Sequence, residues 1–211
     1  SLNIATPLGE DALQLTKFYG EEELSRLFEF QLHLISKNSN IAAEELVGKN
    51  VTFAMDYDDG DRRFFNGFVR EFYAGDEDVK GVRSYRAVLV PWLWFLSQTT
   101  DCRIFQEKTI VEIIAQVFQD LGFTDFDDSQ VQGTHPVREY CVQYRESDFE
   151  FVSRLMEEEG IFYYFKHENG VHTLMMGDSA GAYAECKEST VDYPRDTSAT
   201  RGIVAHIQSW E

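Results

Sequence analysis

The chain has 211 residues, 43% of them hydrophobic and 27% charged, with a formal net charge of −18. That length allows one large domain or two small ones, and the hydrophobic fraction supplies an ordinary soluble core. The acidic balance repels a phosphate backbone, so nucleic-acid binding is disfavoured, and the charge reads as a solvated acidic surface. No apolar run approaches the ~20 residues that span a bilayer. Residues 1–10 show no basic stretch followed by an apolar one, so neither a membrane-spanning segment nor a signal peptide is expected, and export would use another route. Cys102, Cys141 and Cys186 are odd in number and far apart, with no Cys-x-x-Cys. They read as separate reduced thiols rather than a disulfide framework or a zinc knuckle.

The first hundred residues carry strand patterns. Phe28, Phe30, Leu32 and Leu34 alternate with Glu29, Gln31 and His33, a period of two with one apolar face. A short helical piece over Ala42 to Val47 ends before Gly48. Val51, Phe53, Met55 and Tyr57 alternate again. Asp59-Gly60 is a hairpin turn signal, because glycine tolerates positive φ. Phe64 to Tyr73 returns as a strand, and Ser84 to Val90 forms another that runs into Pro91-Trp92-Leu93-Trp94. Several short strands with turns between them suggest a small barrel or sandwich.

The period then changes. Thr109 and Glu112 have capping-box spacing, followed by Ile110, Ile113, Ile114, Val117, Phe118 and Leu121 at helical intervals, with Gly122 as the stop. Ser147 and Glu150 repeat the device. Phe149, Val152, Leu155 and Met156 make the second apolar stripe, with Phe151 at its margin and Gly160 as the stop. Glu150 and Arg154 have the spacing of an ion pair along the helix. Between the helices, Tyr140, Val142 and Tyr144 alternate as a strand. After Gly160, Ile161 to Glu168 and Val171 to Met176 form a hairpin about Asn169-Gly170. The run from Ser179 to Arg201 reads as a long loop, and Ile203 to Trp210 as a final strand.

Chemistry is sparse. The hairpin turn pairs Glu168 with Val171 and so sets His167 opposite His172, at a spacing that fits one edge of a metal site. No third ligand lies nearby, and Phe165, Leu174, Tyr163 and Met176 on the same face make the pair the rim of a hydrophobic surface. Glu157, Glu158 and Glu159 oppose the helix dipole, which fits a solvated face or a basic partner. Asp125, Asp127 and Asp128 are a fragment of a calcium loop without its glycine and terminal glutamate. No Gly-x-Ser-x-Gly, phosphate loop or His-Glu-x-x-His occurs. No catalytic, cofactor-binding or metal residue is assigned, and no cofactor is expected.

The segment Arg138 to Ile161, REYCVQYRESDFEFVSRLMEEEGI, resembles the signature stretch of VgrG proteins, which form the spike of bacterial type VI secretion machines. Three further blocks agree: Asn66-Gly67-Phe68-Val69, Tyr85 to Leu96 with its Pro91-Trp92 step, and Arg103-Ile104-Phe105-Gln106. His172-Thr173-Leu174 followed by Asp178 also fits. The resemblance implies an α+β, mainly β fold: an antiparallel β-barrel of the phage tail hub type with a helix-containing α/β insert. It implies a first hub barrel over residues 1–100, an insert with two helices and a hairpin over 101–180, and a return segment over 181–211.

It further implies a structural role, not an enzyme. Three VgrG subunits form a needle tip on a tube of Hcp rings, a PAAR-repeat protein caps the spike, and effectors ride on either. Such a protein sits in the bacterial cytoplasm before firing and is then secreted or injected into a target cell. Family members continue past the position of Glu211 into an oligonucleotide-fold domain and a β-helical spike. PAAR binding and full trimer contact therefore do not carry over to these residues alone. Two other readings stay open. One is an effector hydrolase. The other is a free-standing binding barrel, with Trp92 and Trp94 lining a sugar site rather than the core.

Overall fold

The computed structural model describes residues 1–57 and 60–183. Six strands form one antiparallel sheet: β1 (Leu2–Ala5), β2 (Gln14–Glu21), β3 (Glu29–Ser36), β4 (Asn50–Asp56), β5 (Arg62–Glu77) and β6 (Arg83–Val90). Their spatial order is β1-β4-β5-β6-β3-β2. The sheet curls into a half-barrel, and its edge strands β1 and β2 touch without a ladder among the described residues. The alternation in β3 works as the sequence predicts. Phe30, Leu32 and Leu34 pair with Leu89, Ala87 and Tyr85 of β6, and all six side chains are buried.

Bulges in β5 shift its register against β6 between Val69 and Glu71, and again between Ala74 and Glu77. The first inserts Arg70, so Val69 and Phe72 both reach the core despite their odd spacing. The expected helical piece after β3 is shorter than its sequence range, a 3-10 turn over Ala43–Glu45, and Gly48 follows at φ +78°. Tyr57 lies beyond the end of β4 and is exposed. Gly60 has the positive φ its turn requires, whereas Asp59 lies outside the described residues.

A 3-10 helix, Trp92–Gln98, leads out of the sheet into β7 (Thr100–Phe105) and α1 (Ile110–Asp120). Then come β8 (Phe126–Gln130), β9 (Cys141–Ser147), α2 (Asp148–Glu159), β10 (Phe162–Glu168) and β11 (Val171–Gly177). β10 and β11 form the expected hairpin, and β8 joins β11 in parallel; β7 and β9 make a separate two-stranded ribbon. Both helices begin on the predicted caps. Thr109 and Ser147 each accept the N–H of the glutamate three residues on, and each glutamate reaches back to the cap N–H. Gly160 ends α2 in the left-handed conformation, where a side chain would be strained.

Two expectations for α2 need correction. Phe151 is fully buried and Phe149 only partly so, because α2 turns Phe151 toward Phe105 of the ribbon, ring centroids 5.7 Å apart. Arg154 does not pair with Glu150. The Glu150 carboxylate is occupied by the Ser147 cap, which lowers its pKa through the backbone N–H bond first and the hydroxyl second. Arg154 instead bonds Glu146 at 2.7 Å and Glu158 at 3.1 Å.

The buried side chains fall into two clusters. One runs from Leu13 to Leu89 inside the curled sheet. The other runs from Trp92 to Met176 around α1, α2 and the 3-10 helix. Phe165 of the hairpin packs against both. The return segment is described only to Tyr183, with a 3-10 turn over Ala180–Ala182. The expected strand Ile203 to Trp210, most of the preceding loop, and Cys186 lie outside the described residues.

Candidate functional site

The structure sorts the sequence candidates into a buried junction, a salt-linked helix end and an exposed ribbon. The junction contains the histidine pair. His167 and His172 stand opposite each other as predicted, ring centroids 6.1 Å apart. The hydrophobic face that they border lies inside the fold. His172 is 1% exposed and touches the rings of Phe28, Phe68 and Phe165. All four ring nitrogens are hydrogen-bonded within the chain: His172 with Asn66 and Trp92, His167 with Asn66 and Glu22. Burial first, and then the neighbouring His167, hold the His172 pKa down to about 3.

Asn66 is the residue that sequence reasoning missed. It is wholly buried, and its side-chain amide donates to Asn50 Oδ1 (2.7 Å), Thr52 Oγ1 (2.8 Å) and Val51 O (3.3 Å). The next residue explains the Asn-Gly-Phe block further. A Cβ at Gly67 would come within 3.1 Å of Val90 O and 3.2 Å of Leu89 Cβ, so the strand crosses its neighbours too closely for a side chain.

The acidic end of α2 is largely neutralised inside the chain. Arg138 bonds Glu158 (2.8 Å) and Glu159 (3.0 Å), and His135 bridges Glu159 (2.9 Å) and Asp178 (3.1 Å). The Glu159 bond is the first cause raising the His135 pKa. Asp178 also accepts the N–H groups of Gln132 and Gly133, so it ties the loop before β9 to the end of β11. Glu157 alone of the three stays exposed without such a partner among the described residues.

Asp127 lies in β8 and accepts the N–H of Ser129, while Asp125 offers its backbone oxygen to Trp92 Nε1 and Leu174 N. No group of three or more metal-ligating side chains converges among the described residues. Trp92 is buried, stacked on Phe123 and edge-on to Phe118, and Trp94 is half-buried. Cys141 is buried and Cys102 exposed, and neither forms a disulfide.

The signature segment itself builds a buried polar network. Gln143 and Asp148 are 1% and 2% exposed. Arg103 bonds both, Gln143 Nε2 donates to Asp148 at 2.8 Å, and Thr99 donates its hydroxyl to the same carboxylate. This network decides which face of the ribbon is inward. β9 takes in Val142 and Tyr144 of the predicted alternation, with Tyr140 just before it, and that row faces out: Ile104 is 60% and Tyr144 65% exposed. A bonded glutamine and Cys141 take the inner positions instead.

The profile of the family described as phage tail baseplate hub (GPD) matches residues 21–211. The type VI secretion system spike protein VgrG1a of Pseudomonas aeruginosa is 48% identical over 186 residues, 86% of this chain and 28% of that protein. The actin cross-linking toxin VgrG1 of Vibrio cholerae is 34% identical over 86% of this chain and 17% of its own length. The chain thus spans well under a third of the curated relatives it matches.

Among solved structures, an Escherichia coli protein described as a type VI secretion component similar to the T4 phage tail proteins gp27 and gp5 superposes with a TM-score of 0.78. It is 22% identical, over 87% of this chain and 51% of that one. A tail protein of a Shewanella oneidensis prophage superposes at 0.60 with 13% identity, over 91% of this chain and 58% of that one. At such identities these likenesses establish the fold. The chain belongs to the phage tail baseplate hub family, on its VgrG branch.

Proposed function

We propose that this chain is part of the hub of a type VI secretion spike and acts by shape, not by catalysis. The observation that carries this reading is the 48% identity to a spike protein across most of the chain. The polar groups support it too, since the buried histidines and the Asp148 network are saturated by partners inside the fold.

In the full-length protein, three copies associate and the hub joins this trimer to the hexameric Hcp tube. Two similar barrels per subunit present six surfaces, so a three-fold spike seats on a six-fold ring. A PAAR-repeat protein and effectors attach through parts outside these residues. The assembly waits in the bacterial cytoplasm and is then driven out, into the medium or a target cell. Within the chain, residues 1–100 form the first hub barrel, 101–180 the α/β insert, and 181–211 the return toward the rest of the hub. The change of hydrophobic cluster between Leu89 and Trp92 supports a division in this region.

The test is a mass measurement on the full-length parent, alone and mixed with Hcp. A trimer that gains the mass of an Hcp ring is expected. A parent that stays monomeric and ignores Hcp refutes the reading.

A further inference from the structure

The two hydrophobic cores meet at the Asn66 cluster, and its hydrogen bonds dictate the proton positions on two histidines. Trp92 donates its backbone N–H to His172 Nε2 at 2.9 Å. Nε2 therefore carries the lone pair, and Nδ1 donates its proton to Asn66 Oδ1 at 2.7 Å. Asn66 in turn donates its backbone N–H to His167 Nδ1 at 3.1 Å, so His167 Nε2 donates to Glu22 at 3.0 Å. Asn66 belongs to the sheet, Trp92 opens the 3-10 helix of the second core, and the histidines sit on the hairpin that touches both. Each of these bonds crosses from one structural unit to another.

We propose that this cluster is an acid-opened joint between the 3-10 helix and the hairpin beside the sheet, in which a second proton on His172 breaks its bond to Trp92. An imidazolium has two N–H donors and no lone pair, so protonated Nε2 would face the Trp92 N–H donor to donor. Among the described residues, no carboxylate is hydrogen-bonded or ion-paired to His172 to offset the charge. Its ring neighbours are Phe28, Phe68, Phe165 and His167. Glu22, and the Arg63 bonded to it, reach the cluster through His167.

With the joint open, His172 returns to an ordinary value of about 6.5, well above its buried one. The open form then binds more protons between those values, so falling pH favours opening. Each pH unit below about 6.5, and above about 3, shifts the equilibrium about tenfold toward the open joint.

The experiment is amide hydrogen exchange on the chain from pH 7 to pH 5, corrected for intrinsic rates. Protection of the Trp92 N–H is expected to fall close to tenfold per unit below pH 6.5 and to stay below that of Phe118 in α1, as a local opening requires. In His172→Gln, whose amide can both accept from Trp92 and donate to Asn66, the Trp92 slope is expected to vanish. A level Trp92 profile in the unaltered chain, or an equal slope in His172→Gln, overturns the proposal. Should that variant not fold, imidazole 15N correlation spectra of the unaltered chain at pH 7 decide. A neutral His172 with its proton on Nδ1 supports the joint; a proton on Nε2 refutes it.

Discussion

The strand pair β3/β6 and the ribbon β7/β9 have similar lengths and opposite logics. In β3/β6, apolar alternation chooses the buried face: Phe30, Leu32 and Leu34 go in, and Gln31 stays out. In β7/β9 the apolar row Ile104, Val142 and Tyr144 lies outside, while Gln143 is buried. The difference shows that a saturated polar network can outweigh hydrophobic pattern. Burying Gln143 would be costly without partners, but Arg103, Asp148 and the Glu146 carbonyl satisfy its amide. The ribbon also needs only one covered face, because α2 packs on the side of Phe105 and Cys141.

The contrast can be broken most forcefully at Asp148. Removing the buried carboxylate in Asp148→Ala strands Arg103 and Gln143, with an expected loss of about 3–5 kcal/mol in urea denaturation. If the loss is under about 1 kcal/mol, hydrophobic packing orients the ribbon after all. The counterpart in the sheet is Leu89→Ala. Leu89 pairs with Phe30 and Val69 and is fully buried, so about 2–5 kcal/mol should be lost to the cavity and the missing apolar area.

The helix caps should cost less. Thr109→Ala and Ser147→Ala each remove one acceptor for an unpaired N–H and are expected to lower stability by about 1 kcal/mol, read as a shift in the urea midpoint with an unchanged slope. The smallest effect belongs to the outward row. Tyr144→Ser should change the isolated chain by under about 0.5 kcal/mol in the same assay. A larger loss there would mean that the exposed ring is packed against something within the chain.

Much of the fold was legible in the residues themselves. Both helices start at the capping boxes read from Thr109 and Ser147, and the Asn169-Gly170 hairpin has the predicted register down to the histidine pair. These features depend on neighbours a few residues apart, and local sequence encodes them directly. β8 was not legible, since Phe-Asp-Asp-Ser-Gln has poor strand character; it becomes a strand by pairing with β11. The bulge at Arg70 and the inward face of β9 were hidden for the same kind of reason. One sits where β5 meets β6, and the other depends on Arg103, 40 residues from Gln143.

The sequence alone thus determined the elements whose signals are short-range: periodicity, caps, turns, and the motif that marks the family. Only the tertiary structure decided what the polar residues do. Asn66, Glu22 and Trp92 are spread over 70 positions of chain, and nothing in their local context says that they meet the histidine pair His167 and His172. A hydrophobic residue announces its burial through pattern. A buried polar residue becomes affordable only when its partners arrive, and folding alone brings them together.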